Sequence, residues 1–451
     1  MQTRTALLAL VPLAMPCFVV AQTAGQTAPH ARQLAVAPSG DSAAVHRPRP
    51  TPLPAWLRFD GELRIRPETY DGGGFDATKR DQYALTRVLL GARVRPGRLA
   101  SLYVQGMDAR APYKLPNPAG APFRDDIDLR QAYLQLGAND SAWVRAGRLE
   151  LAFGDGRLVG ALPWANTART FDGILSSVVR PGYRVDLFAA SVVKVVQDRF
   201  DRSTPGNNFY GAYGVLPTLV PNGTVEPFAF WRRQSGLRTE LGAPGVMNFG
   251  TLGLHAFGKL PSHFDYDLQM AGQRGGLADE SISAWAGHWL LGYTLAGVTL
   301  TPRISGEYNA ASGDANPTDN RKGTFDQLYP TGHDKYGLTD LVGWQNMKHV
   351  RTALDLALPR KWTASARFSR YWLADARDAL YNGGGAALAR DPTGAAGTDV
   401  GREVDVVAWG KLRRDLGLSA GVGRLLPGHF LRVTTPGASY TYTYTMLSWT
   451  F

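Results

Sequence analysis

The chain of 451 residues is long enough for two ordinary domains or one large barrel. Its one cysteine, Cys17, lies in an N-terminal apolar run, so the rest of the chain can hold no disulfide framework, thiolate metal site or cysteine nucleophile. The net charge of +11 rests on 40 Arg against 9 Lys, spread along the chain rather than gathered in a tail or a helix, which argues against nucleic acid as a partner.

In chain order, Arg4 precedes an apolar run over residues 6–20, and the small residues ending at Ala21 suit a cleavage site. Residues 1–21 are therefore read as a signal peptide, too short and too early for a membrane-spanning helix. Pro16 stands before Cys17 where a lipoprotein would carry a small residue. Residues 22–55, rich in Ala, Pro, Thr and Ser, cannot bury much surface and are expected to form a disordered leader. Patterned sequence begins at Trp56 and is expected to form a single domain to Phe451.

The first patterned stretch, RFDGELRIR (58–66), places Arg58, Asp60, Glu62, Arg64 and Arg66 on one face of a strand and Phe59, Gly61, Leu63 and Ile65 on the other. Similar alternation recurs in VTLTPRISGEYN (298–309), VRTALDLAL (350–358), WTASARFS (362–369) and REVDVVAWGKL (402–412). DLRQAYLQL (128–136) and NFGTLGLHAFGKL (248–260) alternate less cleanly. Gly- and Pro-rich connections of unequal length are expected over 113–124, 197–228, 261–282, 310–347 and 375–402, and no apolar run after Trp56 is long enough for a transmembrane helix.

A secreted β-sandwich would also alternate, with its polar face in water. The C-terminus separates the two readings. YTYTYTMLSWTF places Leu447, Trp449 and Phe451 on one face and ends on an aromatic residue, the pattern of a last barrel strand offered to the outer-membrane assembly machinery. The fold expected is an all-β, transmembrane antiparallel β-barrel with short turns at one end and long extracellular loops at the other. The apolar face of RFDGELRIR then meets lipid, and its ionic face meets a water-filled lumen.

Three blocks carry a resemblance to a known family. GRLELAFGDGRLVGALPWANTARTFDG (147–173) is similar to the G-D-x-R-L-x-G and W-x-N-T-x-R-T-F-D-G block of the alginate export family. GTFDQLYPTGHDKYG (323–337) with GWQNM (343–347) resembles that family's long-loop signature, and 403–412 with 421–431 resemble its closing strands. The resemblance implies a monomeric outer-membrane barrel of about 18 strands with an arginine-rich, anion-selective lumen. No enzymatic activity and no cofactor are expected, since the chain lacks catalytic and nucleotide-binding motifs. The cargo the resemblance implies is an anionic polysaccharide such as alginate, with the lipid bilayer, the assembly machinery and periplasmic export partners as its surroundings. Uptake of small anions such as sugar acids or aromatic acids is the alternative within the same fold.

The candidate pore-lining residues are Arg64, Arg66, Arg87, Arg93, Arg130, Arg148, Arg157, Arg169, Arg238, Arg303, Arg351 and Arg367. As a set they would offer a polyanion many weak contacts without trapping it. Singly, each could instead be paired to a wall carboxylate such as Asp60, Glu62, Glu150 or Asp355. Asp155, Asn166 and Asp172, with Arg157 and Arg169, are candidates for a polar constriction, although Gly154 and Gly156 equally suit a structural turn. His333, Asp334 and Lys335 are read as loop packing around Phe325, Tyr329 and Tyr336 rather than as a gate. An enzyme acting on an acidic polysaccharide is the alternative from another class, but the chain has no G-x-S-x-G elbow, H-E-x-x-H or P-loop. The scattered histidines and the acidic loop GDANPTDN (313–320) lack metal-ligand spacing, so no metal is expected.

Overall fold

The structure, a computed structural model, describes residues 53–451 apart from Asn117. The expected signal peptide (1–21), Cys17 and leader residues 22–52 lie outside the described residues. No described helix is long and apolar enough to cross a membrane.

Strands β1 to β6 are Leu57–Asp71, Arg80–Val94, Ala100–Arg110, Asp125–Ala138, Ala142–Leu149 and Phe171–Arg180. Strands β7 to β12 are Tyr183–Lys194, Arg202–Val220, Gly223–Arg238, Pro244–Lys259, Phe264–Leu277 and Glu280–Thr294. Strands β13 to β18 are Arg303–Ala311, Met347–Leu358, Trp362–Leu373, Asp399–Lys411, Leu416–Pro427 and Tyr440–Thr450. Each pairs antiparallel with its neighbours, and β18 returns to β1, with Glu62 opposite Thr450 and Asp71 opposite Thr441. The result is a closed 18-strand barrel with no free edge. Phe451 completes the seam, exchanging backbone hydrogen bonds with Gly61 at 3.0 and 3.1 Å.

The wall is inside out relative to a soluble sheet. In β1, Glu62, Arg64, Arg66 and Glu68 are buried, whereas Phe59, Leu63 and Ile65 are exposed. The same outward apolar band continues through Leu90, Leu134, Ile174, Leu252, Trp285, Ile304, Phe368, Val404, Leu447 and Trp449. Leaving these side chains uncovered in water would be costly; in a bilayer they face a matching solvent. Connections at the end that holds both termini are short, whereas the opposite end carries residues 150–170, 312–346 and 374–398. In outer-membrane barrels the long-loop end faces the outside of the cell.

Several boundaries differ from the sequence reading. Most of 197–228 and 261–282, expected as loops, is strand in β8, β9 and β11. Their Gly, Asn and Asp content mimics loop composition, yet Asp265, Asp267, Gln269 and Gln273 face inward while Leu268 and Met270 face out. The stretch 298–302 is a turn, since β13 begins at Arg303; Leu300 and Thr301 take left-handed backbone angles (φ 67° and 42°) and Pro302 has no N–H for the ladder. The uneven alternation of 128–136 comes from a bulge. Gln131 pairs with Gln105 and Leu129 with Gly106, so Arg130 and Gln131 both point inward.

The apolar core lies inside the barrel. Residues 150–170 and 312–346 turn into the lumen, and Phe153, Phe325, Tyr329, Tyr336 and Trp344 are buried there. They pack on an aromatic sector of the wall, with Phe153 4.9 Å from Tyr213 and Tyr329 4.9 Å from Phe209. This explains why 248–260 reads poorly as a strand: Phe249 faces inward against this core while Leu252 and Leu254 face out.

Candidate functional site

The lumen is shaped by these two in-folded loops, and arginines hold both. The first loop bends at Pro163–Asn166, where consecutive carbonyls have no sheet partner. Arg64 donates to Pro163 O (2.8 Å), Ala165 O (3.1 Å) and Asn166 Oδ1 (3.2 Å). Arg87 donates to the same two carbonyls (3.1 and 3.0 Å) and, through its other nitrogens, to Glu62 (3.0 and 2.8 Å). Arg66 donates to Trp164 O (2.6 Å), pairs with Glu68 and stacks 3.8 Å above the Trp164 ring. A planar five-donor fork can serve two carbonyls and a carboxylate together, which a lysine cannot. Asn166 adds the reverse contact, directing its amide to the carbonyls of Thr86, Arg110 and Phe123.

The second loop lies along the first. Val159 and Tyr329 form a parallel bridge, with Tyr329 N donating to Leu158 O and Gly160 N to Tyr329 O, both at 2.9 Å. Gly160 is required by this approach, because a Cβ there would sit 2.1 Å from Thr331 Oγ1. Asp155 accepts from Lys335 (2.8 Å) and pairs with Arg157 (3.2 Å), and Arg157 donates to Tyr336 Oη (3.1 Å). Burial pushes the Asp155 carboxyl up, but Lys335, Arg157 and His255 hold it well below the usual carboxylate range. Arg169 donates to Pro330 O (2.9 Å), and Arg232 of β9 pairs with Asp326 (2.7 Å) beneath the Tyr329 ring. From the far wall, Arg351 donates to Asp334 O and Lys335 O and pairs with Glu307, while Arg367 pairs with Asp334. His333 stacks 3.7 Å from Trp164, which ties the two loops at their tips.

The remaining anticipated arginines sit in smaller networks. Arg130 meets Glu150 and Gln105, Arg148 binds Asp172 through two nitrogens, and Arg303 bridges Asp265 and Asp355. Arg238 is exposed at the end of β9 and donates to Gly242 O. Asp155, Asn166 and Asp172 therefore belong to three networks: the loop–loop contact, the Arg64 dock and the Arg148 pair. His333, Asp334 and Lys335 are packed between the loops and the far wall. Leu447 and Trp449 face outward, with Trp449 5.0 Å from Phe451 and its indole N–H donating to Asp415.

Arg93, the last of the anticipated arginines, stacks on Tyr103 toward the short-turn end. Two features were not anticipated. The first is Arg145, which stacks on Tyr133 and Trp143; among the described residues neither it nor Arg93 has a carboxylate partner within ion-pair distance. Arg145 lies on the inward face of β5, and its alternation with Val144 and Ala146 was the available signal. The second is a buried chain on β9 to β14, in which His255 joins Glu226 (2.7 Å) and Asp267 (2.9 Å), and His288 and His349 flank Asn309. Those histidines lie far apart in sequence and meet only because neighbouring strands bring them into register.

A closed 18-strand wall with an apolar outer band, a polar inner face and two loops folded into the lumen defines an outer-membrane β-barrel channel. The alginate export family model matches residues 55–444, and the chain belongs to that family. Among solved structures it is similar to Pseudomonas aeruginosa OccK8 (OprE), at 12% identity over 88% of this chain and 98% of that one, with a TM-score of 0.60. It is also similar to the outer membrane protein OpdK of Pseudomonas aeruginosa (12% identity, 87% and 99% covered, TM-score 0.57) and to Acinetobacter baumannii OccAB2 (13%, 87% and 98%, 0.57). At such identities the likeness is one of fold. No curated protein matches the chain by sequence.

Proposed function

We propose that the channel passes anionic solutes passively, and that its cargo is a uronate polysaccharide on its way out of the cell. The observation that carries this reading is the pair Arg93 and Arg145. Inward-facing guanidinium groups without a carboxylate partner keep a positive potential in the lumen, whereas paired ones are largely neutralised. Arg145 Nε donates to Gln135 (2.8 Å) and Arg93 Nη2 reaches Tyr133 Oη at 3.5 Å, which leaves their other N–H groups for a passing carboxylate, and family membership supports the polymer as cargo.

Uptake of a small anion is favoured by a different observation, the filling of the lumen by residues 150–170 and 312–346. The two readings differ in multivalency. A polymer touches several cationic sites at once, so its contacts multiply, whereas a monomer touches one or two. In planar bilayers, block of the current is expected to strengthen at least tenfold from mono- to hexa-uronate and to weaken as salt rises. Equal block by monomer and hexamer would replace export with small-anion uptake, and a cation-selective current would overturn both.

A further inference from the structure

On the long-loop rim, β4 begins beside the connection 195–201 that leads into β8. Here Asp125, Asp128 and Asp201 each place a carboxylate oxygen within 4.8 Å of the other two. Three carboxylates so close repel one another unless a cation or protons intervene. The local basic groups are largely committed elsewhere. Arg148 binds Asp172 at 2.8 and 3.1 Å and reaches Asp128 only at 3.6 Å, and Arg124 pairs with Asp126 and Asp198.

A second observation is independent of this proximity. Asp125 is 2% exposed, yet among the described residues its Oδ2 has no hydrogen-bond partner. Asp126 Oδ1 and Gln197 Oε1, in the same two segments, are also buried without partners. These oxygens can only accept, and leaving them buried and unsatisfied is unfavourable. What would satisfy Asp125 Oδ2 beside the other two carboxylates is a cation or a donor. The other acidic oxygens nearby are already ordered, with Asp128 Oδ2 accepting from Asp201 N (2.7 Å) and Asp201 Oδ1 from Val196 N (2.8 Å).

We propose that Asp125, Asp128 and Asp201 form a binding site for a hard divalent cation, of the calcium type, that fastens the 195–201 connection to the rim at the start of β4. Carboxylate oxygens with no nitrogen or sulfur donor among them select a hard cation, and an uneven cluster of oxygens on two loop-end segments suits calcium better than the strict octahedron of magnesium. The site lies at the end of the barrel that faces the medium, where a weak site suffices. The ion would also brace the neighbouring Arg148–Asp172 pair, at the base of the first in-folded loop. Neither 125–128 nor 195–201 follows a linear calcium motif, because the ligands lie about seventy residues apart and meet only through barrel closure.

The test uses the full chain in detergent, stripped with chelator and titrated with calcium chloride, with magnesium chloride as the comparison. One saturable calcium site is expected by calorimetry, with Kd of about 10⁻⁴–10⁻³ M, weaker binding of magnesium, and a higher unfolding temperature in calcium. The double variant Asp125→Asn, Asp201→Asn keeps the shape but removes two charges; it should lose at least tenfold in calcium affinity and lose the calcium-dependent rise. Because relieved repulsion should make it more stable than the parent in chelator, retention of the heat-modifiable folded form checks its integrity. Asp201→Asn alone, at the half-buried ligand, gives the same readout if the double variant does not fold. No saturable calcium binding in the parent, or equal binding in the variants, would overturn the site.

Discussion

Two levels of the lumen use one residue type in opposite ways. At mid-wall, where the first loop reaches in, Arg64, Arg66 and Arg87 are 1–4% exposed and spend their donors on the carbonyls of residues 163–165 and on Glu62 and Glu68. Toward the short-turn end, Arg93 and Arg145 lie on aromatic rings, half-buried, and among the described residues neither has a carboxylate within ion-pair distance. The strands and their alternation are alike in both places. The difference is whether another segment of the chain arrives at the guanidinium. Where one does, the arginine becomes a fastener; where none does, its charge faces the lumen.

The largest effect should come from breaking a fastener. Arg87→Ala leaves Glu62, itself 3% exposed, buried without its partner and releases two carbonyls of the first loop. A loss of about 3–5 kcal/mol is expected by thermal or denaturant unfolding, together with a raised single-channel current as the loop leaves the wall. Changing Glu62→Gln in the same chain should recover part of the stability and none of the loop docking. A change below about 1 kcal/mol in Arg87→Ala would remove the distinction between the two levels.

Arg93→Ser with Arg145→Ser probes the other level. Both side chains are half-buried and reach only nearby wall strands, Arg93 on Tyr103 and Arg145 on Tyr133 and Gln135 (2.8 Å), rather than an in-folded loop, so stability should move by less than about 1 kcal/mol. The reversal potential under a salt gradient should shift toward cation permeation. Unaltered selectivity with a large loss of stability would mean that these arginines, too, are structural.

The smallest effect concerns pH. In the second loop, burial pushes the Asp334 carboxyl up, but Arg367, then His333 and Arg351, hold it below its ordinary value of 3.8. A depressed carboxyl contributes stability that is fully present above the unfolded value and is lost as pH falls through the folded one. Asp155 behaves in the same way. The in-folded loops should therefore stay docked from pH 7 to about 5, with current steps unchanged, and loosen only in acid below 3.8. A midpoint of loop release above pH 5 would assign the docking to other groups.

The wall was legible from the residues and the lumen was not. Glu62, Arg64 and Arg66 were read as inward and Leu63 and Ile65 as outward because the pleat turns sequence parity directly into sidedness. The same rule explains the failures, since β8 and β11 carry loop-like Gly and Asp on a sound alternation, and the Arg130 bulge breaks parity without breaking the strand. The twelve anticipated arginines could be placed on the chain, but whether each carries cargo or fastens a loop could not be decided from spacing.

The sequence by itself determined which side chains of the wall point in and which point out, because alternation is a local property, written over two residues at a time, and the aromatic pattern of 440–451 marked the last barrel strand. Only the tertiary structure decided the interior. Arg64 meets Pro163 across 99 positions and Lys335 meets Asp155 across 180, and no local period records contacts of that range. They exist because the closed wall confines both loops to one narrow lumen, where carbonyls at their bends find their nearest donors on the inward arginines.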